Sequence, residues 1–554
     1  MFRSRGGEYV RQACCQLLAA VARRHLKMPE TVEVQKVGGG VARARTLGKL
    51  QEFFEDTWKQ ILEWLQFDAV NAYETFAATY YREFIVPFHH KVLEKMLDGS
   101  SEERNPMERR GNLLAMGALH WGVISAAPPP EMGESVYFLL LLRATMAGTK
   151  LENRKDAQDA ESRRNAVRSL RKILLRIPPG TPELTPELYE LVVQHILDTL
   201  DDYAADRRGD VGSFVRLEAI ETLPAVVQYG LRCALCGPSV ALRAVQALLK
   251  QAMEKLDRLR GRAAVGLMQL ANTPGALPDS EEEADVAVLR RVLCEDALTD
   301  WASPQVVFAA MARPLLQTKM FAPCVVEGLA VSAGSLSVHI VQPAMDAFLH
   351  AFRASEEDSV CLSHVLIAVA AKYTHNQRVV VPLCVTIDRL LNAGVLDESR
   401  HMDVVEILRH ELKHFATNIH VLLPLVGVLG DLCRSAVREA REAAWALSLV
   451  MLASRYPKVR AKMATDMYTA LLVLTSAEEA GAMEGCSRAM QHLAGTQWDA
   501  SDAPKVRGAR DELYEMLHIT RPSKDAASDA VERKKKTNRV VAGSYLALVQ
   551  EAGY

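Results

Sequence analysis

One spacing recurs along this chain and limits what it can fold into. Val215, Arg216, Ala219 and Leu223 set an apolar residue, an arginine, a small residue three past the arginine and a leucine seven past it. Leu259, Arg260, Ala263 and Leu267 repeat that order forty-four residues later, and an aspartate precedes each copy, Asp210 and Asp257. Residues three, four and seven apart share one helical face, so each copy reads as an amphipathic helix. The interval falls in the range of HEAT and armadillo arrays, whose helix pairs stack into a superhelix. There the small residue lets neighbouring helices approach and the leucine fills the space between repeats. The aspartate and arginine are expected to bond between successive turns as a polar ladder.

Looser copies occur at 161–170 (ESRRNAVRSL) and 438–447 (REAREAAWAL). Val10, Arg11, Cys14 and Leu18 carry the same spacing near the start. That segment is Arg-rich and amphipathic, as a mitochondrial presequence also is. The repeat spacing favours the second helix of a repeat whose partner is missing, so the chain is expected to begin partway through a longer array, or partway through a repeat whose first half was lost.

Composition supports an all-α class. Of 554 residues, 49% are hydrophobic but only 6% aromatic, and Ala, Leu and Val dominate. Sustained apolar–polar alternation is nearly absent; residues 31–41 (TVEVQKVGGGV) alternate briefly before three glycines, as a flexible loop or a short strand would. With 66 basic against 68 acidic residues, no global field draws the chain to nucleic acid. Apolar runs such as 136–142 and 421–429 are far shorter than the roughly 20 residues that span a bilayer. Ten scattered cysteines, mostly inside apolar helical runs, predict reduced, buried thiols of a cytosolic protein.

Proline, glycine and charge mark breaks at 98–106, 126–133, 178–186 and 273–283, and Thr185-Pro186-Glu187 offers a helix start with proline at its first position. The organisation expected is a repeat array over 1–312, a compact helical C-terminal domain over 313–518 and a charged flexible tail over 519–554. The basic run Arg533, Lys534, Lys535 and Lys536 suits an acidic surface or a nuclear signal, but is more simply a solvated tail.

The least generic stretch is 201–223, DDYAADRRGDVGSFVRLEAIETL. One helix should end before Gly209, the chain should turn over 209–212, and a second helix should start with Ser213 as its cap. Asp210, Val215, Arg216, Ala219 and Leu223 belong to repeat architecture, as do Asp257, Arg260, Ala263 and Leu267. Asp202, Tyr203, Asp206, Arg207 and Arg208 are left without a packing duty, and are expected to contact a partner or an adjacent repeat.

Enzymatic patterns are weak. His410-Glu411-Leu412-Lys413-His414 is an HExxH string, in which two histidines on one helical face could hold zinc beside a glutamate base. No third-ligand motif follows, and Glu406, Arg409, Glu411 and Lys413 fit an exposed charged face as well. Cys233-Ala234-Leu235-Cys236 lacks a second ligand pair and a strand–helix setting, so two small residues at a helix end is the better reading. The adjacent His89 and His90 point apart on a helix, and the glycines at 38–40 lack the Gly-Lys-Ser/Thr ending of a phosphate loop. No catalytic residue, cofactor or metal is expected.

Several ordered blocks resemble the tubulin-folding cofactor D family. They are 160–173 (AESRRNAVRSLRKI), 201–216 (DDYAADRRGDVGSFVR), 255–270 (KLDRLRGRAAVGLMQL), 300–316 (DWASPQVVFAAMARPLL), 326–336 (VEGLAVSAGSL), 456–471 (YPKVRAKMATDMYTAL) and 496–517 (TQWDASDAPKVRGARDELYEML). Phe214 stands where the family usually shows Trp, and Ser335 where it often shows Gly. The chain resembles the C-terminal half of that family and has about half its typical length. The resemblance implies a HEAT/armadillo scaffold, not an enzyme, that captures beta-tubulin. Its implied partners are cofactors C and E and an ADP-ribosylation-factor-like small GTPase, in assembly or disassembly of the alpha/beta-tubulin dimer and in promoting tubulin GTP hydrolysis. The implied location is the cytoplasm, microtubules and the centrosome or basal body. A generic HEAT-repeat adaptor for another cargo is the competing reading.

Overall fold

The structure, a computed structural model, describes residues 86–520 except 103, 120, 152–158, 278–283, 295–299 and 478–482. The N-terminal repeat copy, the alternating stretch at 31–41 with its glycines, and the basic tail lie outside the described residues. So do the side chains of His89 and His90.

The described chain is all-α apart from one small hairpin. In order come α1 (Val86–Gly99), α2 (Pro106–Met116), α3 (Trp121–Ile124), α4 (Tyr137–Thr149), α5 (Ala160–Arg176) and α6 (Pro186–Asp198). The hairpin strands β1 (Ala205–Asp206) and β2 (Gly209–Asp210) precede α7 (Gly212–Arg232), α8 (Pro238–Ala252) and α9 (Asp257–Ala271). Next are α10 (Ala284–Cys294) and α11 (Pro304–Val307), which runs through a π-turn (Phe308–Ala312) into α12 (Arg313–Leu315). Then follow α13 (Ala322–Ala333), α14 (Val338–Phe352), α15 (Glu356–Lys372), α16 (Gln377–Asn392), α17 (His401–His414) and α18 (Ile419–Leu432). The last are α19 (Arg438–Met451), α20 (Pro457–Ala477), α21 (Met483–Gly495) and α22 (Ala503–Met516).

Among the described residues packing makes two compact units, one falling within Met1–Gln251 with Arg262–Ser280 and one within Ala252–Gly261 with Glu281–Tyr554. In the first, α5 packs on α2, α4 and α7, while α6 lies against both α4 and α7. In the second, α13, α16, α18 and α20 form one row and α15, α17 and α19 the other. Each α15–α16, α17–α18 and α19–α20 pair therefore stacks on the next, which is the HEAT-type arrangement. The expected 313–518 segment lies within this second unit.

Helix starts follow local chemistry. Thr185 accepts from the Leu188 amide at 3.3 Å, with Pro186 at the first helical position, where its missing N–H costs nothing. Ser355, Asn376, Asn418 and Asp502 cap α15, α16, α18 and α22 in the same way. Pro343, Pro382 and Pro424 each sit five residues past the first residue of α14, α16 and α18. Such a proline leaves one carbonyl of the preceding turn without its helical donor and bends the helix.

The buried face is aliphatic, and the repeat positions lie on it: Val215, Ala219, Leu223, Leu259, Ala263 and Leu267 are all at most 2% exposed. The thiols differ from expectation. Cys384 and Cys433 are buried, but Cys324 and Cys486, on helices, and Cys233 and Cys236, at and after the end of α7, are half-buried, and Cys361 is exposed. No helix among the described residues is long and apolar enough to cross a membrane.

Close helix approach in the second unit depends on Gly334, just past α13, where an added Cβ would fall 1.8 Å from the Pro382 carbonyl oxygen. We expect Gly334→Ala to destabilise by about 1–3 kcal/mol, as overpacking against backbone does. Gly261→Ala, inside α9 with open space at the Cβ, should instead stabilise by about 0.5–1 kcal/mol. Urea midpoints of the two variants check both signs.

Candidate functional site

The polar corner before α7 is built around two buried ion pairs. Asp202 is only 5% exposed, and its Oδ2 accepts from Arg163 Nε of α5 at 2.7 Å. Its Oδ1 accepts from the Ala204 amide at 3.0 Å, and its carbonyl accepts from Arg216 Nη1 at 2.6 Å. Arg216 is fully buried, pairs with Asp210 through Nη2 at 3.0 Å, and lies 4.6 Å over the Tyr203 ring. One guanidinium thus ties the loop that ends α6 to the residue that opens α7. Gly212 makes the closure possible: its amide donates to Ala204 at 2.9 Å, and a Cβ there would fall 2.1 Å from the Asp202 carbonyl oxygen.

Asp210 also caps α7. Its Oδ1 accepts from the Ser213 amide at 3.1 Å, and the Ser213 hydroxyl donates to the Asp210 carbonyl at 2.6 Å. Ser213, expected as the cap, therefore sits inside the first turn, and the Asp210 carboxylate, two residues before the helix, accepts from its amide. The expected simple turn is a hairpin, with Ala205 opposite Asp210 and Asp206 opposite Gly209. Gly209 takes φ +103, a conformation that disfavours a side chain.

At the hairpin tip Asp206 Oδ1 accepts from the Arg208 amide at 2.7 Å, while the Arg208 guanidinium bonds Asp206 Oδ2 and reaches Glu161 of α5 at 2.6 Å. The Arg208 hydrogen bonds hold the Asp206 carboxyl below its ordinary range, and the two acids raise Arg208. Arg207 is exposed and has no partner among the described residues. Phe214, in the first turn of α7, is 39% exposed. The five residues assigned no packing duty thus part company. Asp202 is a buried inter-helix ion pair and Tyr203 lies under Arg216, whereas Asp206, Arg207 and Arg208 form a surface knuckle.

The corner recurs with other partners. Fully buried Arg260 donates to the Glu254 carbonyl at 2.8 Å, to Asp257 and to the Ala302 carbonyl, with its guanidinium 5.8 Å over Phe308. Arg460 donates to the Ser454 carbonyl at 2.7 Å, to the Trp498 carbonyl at 2.7 Å and to that of Ala500. Arg441 donates to the Ser435 carbonyl at 2.8 Å. Arg216, Arg260, Arg441 and Arg460 each have a partner six residues earlier, the Asp210 carboxylate for Arg216 and a backbone carbonyl for the other three. Spacing found the first two; Arg163 and Arg460 were not marked as ladder residues. Arg163 follows Ser162 rather than an apolar residue, and Met463 fills the small position after Arg460.

The HExxH string serves the fold. Glu411, expected on an exposed charged face, is instead 1% exposed: its Oε1 accepts from the His375 amide at 2.9 Å while Oε2 faces His375 Nδ1 at 3.4 Å. His375 has φ +66, and its ring stacks on His414 at 3.8 Å. The glutamate is thus spent on a strained turn between α15 and α16 rather than presented to a water. In the CxxC, Cys233 ends α7 and Cys236 lies in the next turn, where the Leu235 and Cys236 amides donate to the Gly230 carbonyl at 2.8 and 3.1 Å. Burial raises the Cys236 thiol.

Residues 242–420 match the family model for the tubulin folding cofactor D C terminal. The likeness covers about a third of the chain. The matched region holds Arg260 with its partners and the His375–Glu411 turn, while the hairpin lies before it. Two solved structures are similar at low identity. An engineered protein is 15% identical over 77% of this chain and 99% of its own, with a TM-score of 0.23. A chain from the structure of Kap95p with RanGDP is 13% identical over 99% of this chain and 69% of its own, with a TM-score of 0.31. At those scores neither likeness bears on function.

Removing the guanidinium should separate framework from surface. Arg216→Met leaves Asp210 and the Asp202 carbonyl unpaired in a buried setting, and should cost about 3–5 kcal/mol. Arg208→Ala, which breaks only exposed pairs, should cost under about 1 kcal/mol. Chemical denaturation of the two variants checks this ordering.

Proposed function

We propose that the chain is a chaperone scaffold that binds beta-tubulin and takes part in making or taking apart the alpha/beta-tubulin heterodimer. The cofactor D match over 242–420 is the observation that carries this reading. Stacked helix pairs suit it physically, because repeat arrays offer extended surfaces that hold a folded cargo over a large area. In this reading the chain works with tubulin-folding cofactors C and E and with an ADP-ribosylation-factor-like small GTPase. It acts in the cytoplasm, at microtubules and at the centrosome or basal body.

The chain performs no bond chemistry of its own in this scheme. It promotes GTP hydrolysis by holding tubulin in the cofactor complex, and the nucleotides belong to tubulin and the small GTPase. The commitment of Glu411 to the His375 turn supports that assignment, since the most enzyme-like string here is occupied structurally.

Within this reading the knuckle of Asp206, Arg207 and Arg208 contacts the partner. Its charges are exposed and sit on a hairpin fixed by buried pairs, so a partner meets a preformed surface with little ordering cost. Native beta-tubulin should be retained by the purified chain in a pull-down, and more weakly as ionic strength rises. A double variant, Asp206→Ala with Arg207→Ala, should bind more weakly with an unchanged melting temperature. Retention unaffected by that variant would remove the knuckle from the interface, and repeated recovery of a different cargo in place of tubulin would favour a general adaptor.

A further inference from the structure

In the second unit, the turn between α13 and α14 carries the most exposed large apolar side chains among the described residues. Leu336 is 101% exposed and Val338 76%, while no other described one exceeds 53%. Ser337 between them is extended, at φ −85 and ψ 113, the conformation in which residues two apart face the same side. Leu336 and Val338 thus form one two-pronged apolar tip. In water it forgoes the burial that both side chains would gain in an apolar setting.

The base of the tip is tied to its neighbours. Gly334 lies against the Pro382 carbonyl of α16, too closely for a Cβ. Ser332 Oγ donates to the Met253 carbonyl at 2.7 Å, Thr386 Oγ1 to the Ala330 carbonyl at 2.8 Å, and Arg389 to that of Ala333. The Ser335 amide donates to the Ser332 carbonyl at 3.2 Å, and the Ile340 and Val341 amides to that of Ser337 at 3.0 and 2.9 Å. Gln305 Nε2 of α11 lies 2.8 Å from His339 Nδ1 and donates at 3.4 Å to the His339 carbonyl, which Pro343 leaves without its helical donor. None of these bonds uses the Leu336 or Val338 side chain. The tip is therefore presented by a fixed base, and a partner that takes it up has little to order.

Charge and area narrow the occupant. Residues 328–345 contain no Asp, Glu, Lys or Arg. A segment that enters a lipid surface draws on Lys and Arg beside its apolar residues to meet the headgroups, and this stretch has neither. A second copy of the chain would need about 800 Å² per partner for a stable dimer, far more than two side chains supply. A folded cargo held over a large area by the repeat array makes up the rest of its contact elsewhere. At this point it must be uncharged, because a charge buried against the tip would find no counterion. We infer that Leu336 and Val338 are a cargo anchor, entering an uncharged apolar pocket on the surface of beta-tubulin. This rests on the reading of the chain as a tubulin chaperone scaffold, and adds to it a contact different in kind from the charged knuckle.

The test measures the affinity of the full chain for native beta-tubulin. Leu336→Ser with Val338→Ser should bind at least about tenfold more weakly than wild type. Its urea midpoint should be unchanged, since neither side chain is packed in the fold. Leu336→Met with Val338→Ile, which keeps the apolar surface, should bind as wild type does. The ratio of wild-type to serine-variant affinity should be the same at low and high ionic strength, as screening acts on charges and not on apolar contacts. Equal binding by wild type and the serine variant would overturn the anchor and leave the tubulin reading in place, whereas no binding by wild type would remove that reading and the anchor with it. A loss of affinity matched by a lower urea midpoint, or one that fades with salt, would also overturn the anchor. So would a wild-type dimer, or wild-type flotation with phosphatidylcholine vesicles, that the serine variant loses while its tubulin affinity is unchanged.

Discussion

A buried guanidinium bonded to backbone carbonyls of two loops is the interaction on which the rest of this structure depends. Helical arrays leave carbonyls unsatisfied wherever one helix ends and the next begins, and those ends are buried by the neighbouring repeat. Arginine answers this with five donors on a planar fork at the end of a long stem, and it stays charged at any ordinary pH. Arg216 and Arg260 are the two largest fully buried side chains among the described residues, and each is covered by an aromatic ring, Tyr203 or Phe308. Burying such a charge is costly alone, so the carbonyls and the carboxylate around it are a condition of its presence. Arg460 shows that the carboxylate can be dispensed with, since three carbonyls accept its donors instead.

This framework separates surface from support. The knuckle at 206–208 is polar and exposed, but the loop beneath it is pinned through Asp202 to Arg163 and Arg216. A surface held this way can change its charges without moving its backbone, which is what a recognition element on a scaffold needs.

Much of the architecture was legible because helical periodicity repeats. The faces of α7 and α9, the proline start of α6 and the breaks between helices follow from local rules that act over a few residues. What escaped depends on backbone atoms or on distant chain. Asp202 looks like a free surface acid, and only the fold shows that α5 supplies Arg163 to it. The carbonyl partners of Arg460 lie about forty residues onward and leave no side-chain signature. The two-residue ladder at 205–210 is too short for alternation to reveal, and Glu411 reads as a zinc-site base until the turn at His375 takes both of its oxygens.

Arg460→Lys tests the central claim most directly, with hydrogen exchange followed across the full chain. Lysine keeps the charge but is a point donor that cannot span three carbonyls set on two loops. The account predicts faster exchange in both the 454–460 turn and the 498–503 segment, two regions that this side chain links. Exchange left unchanged, or altered only within α20 itself, would contradict it.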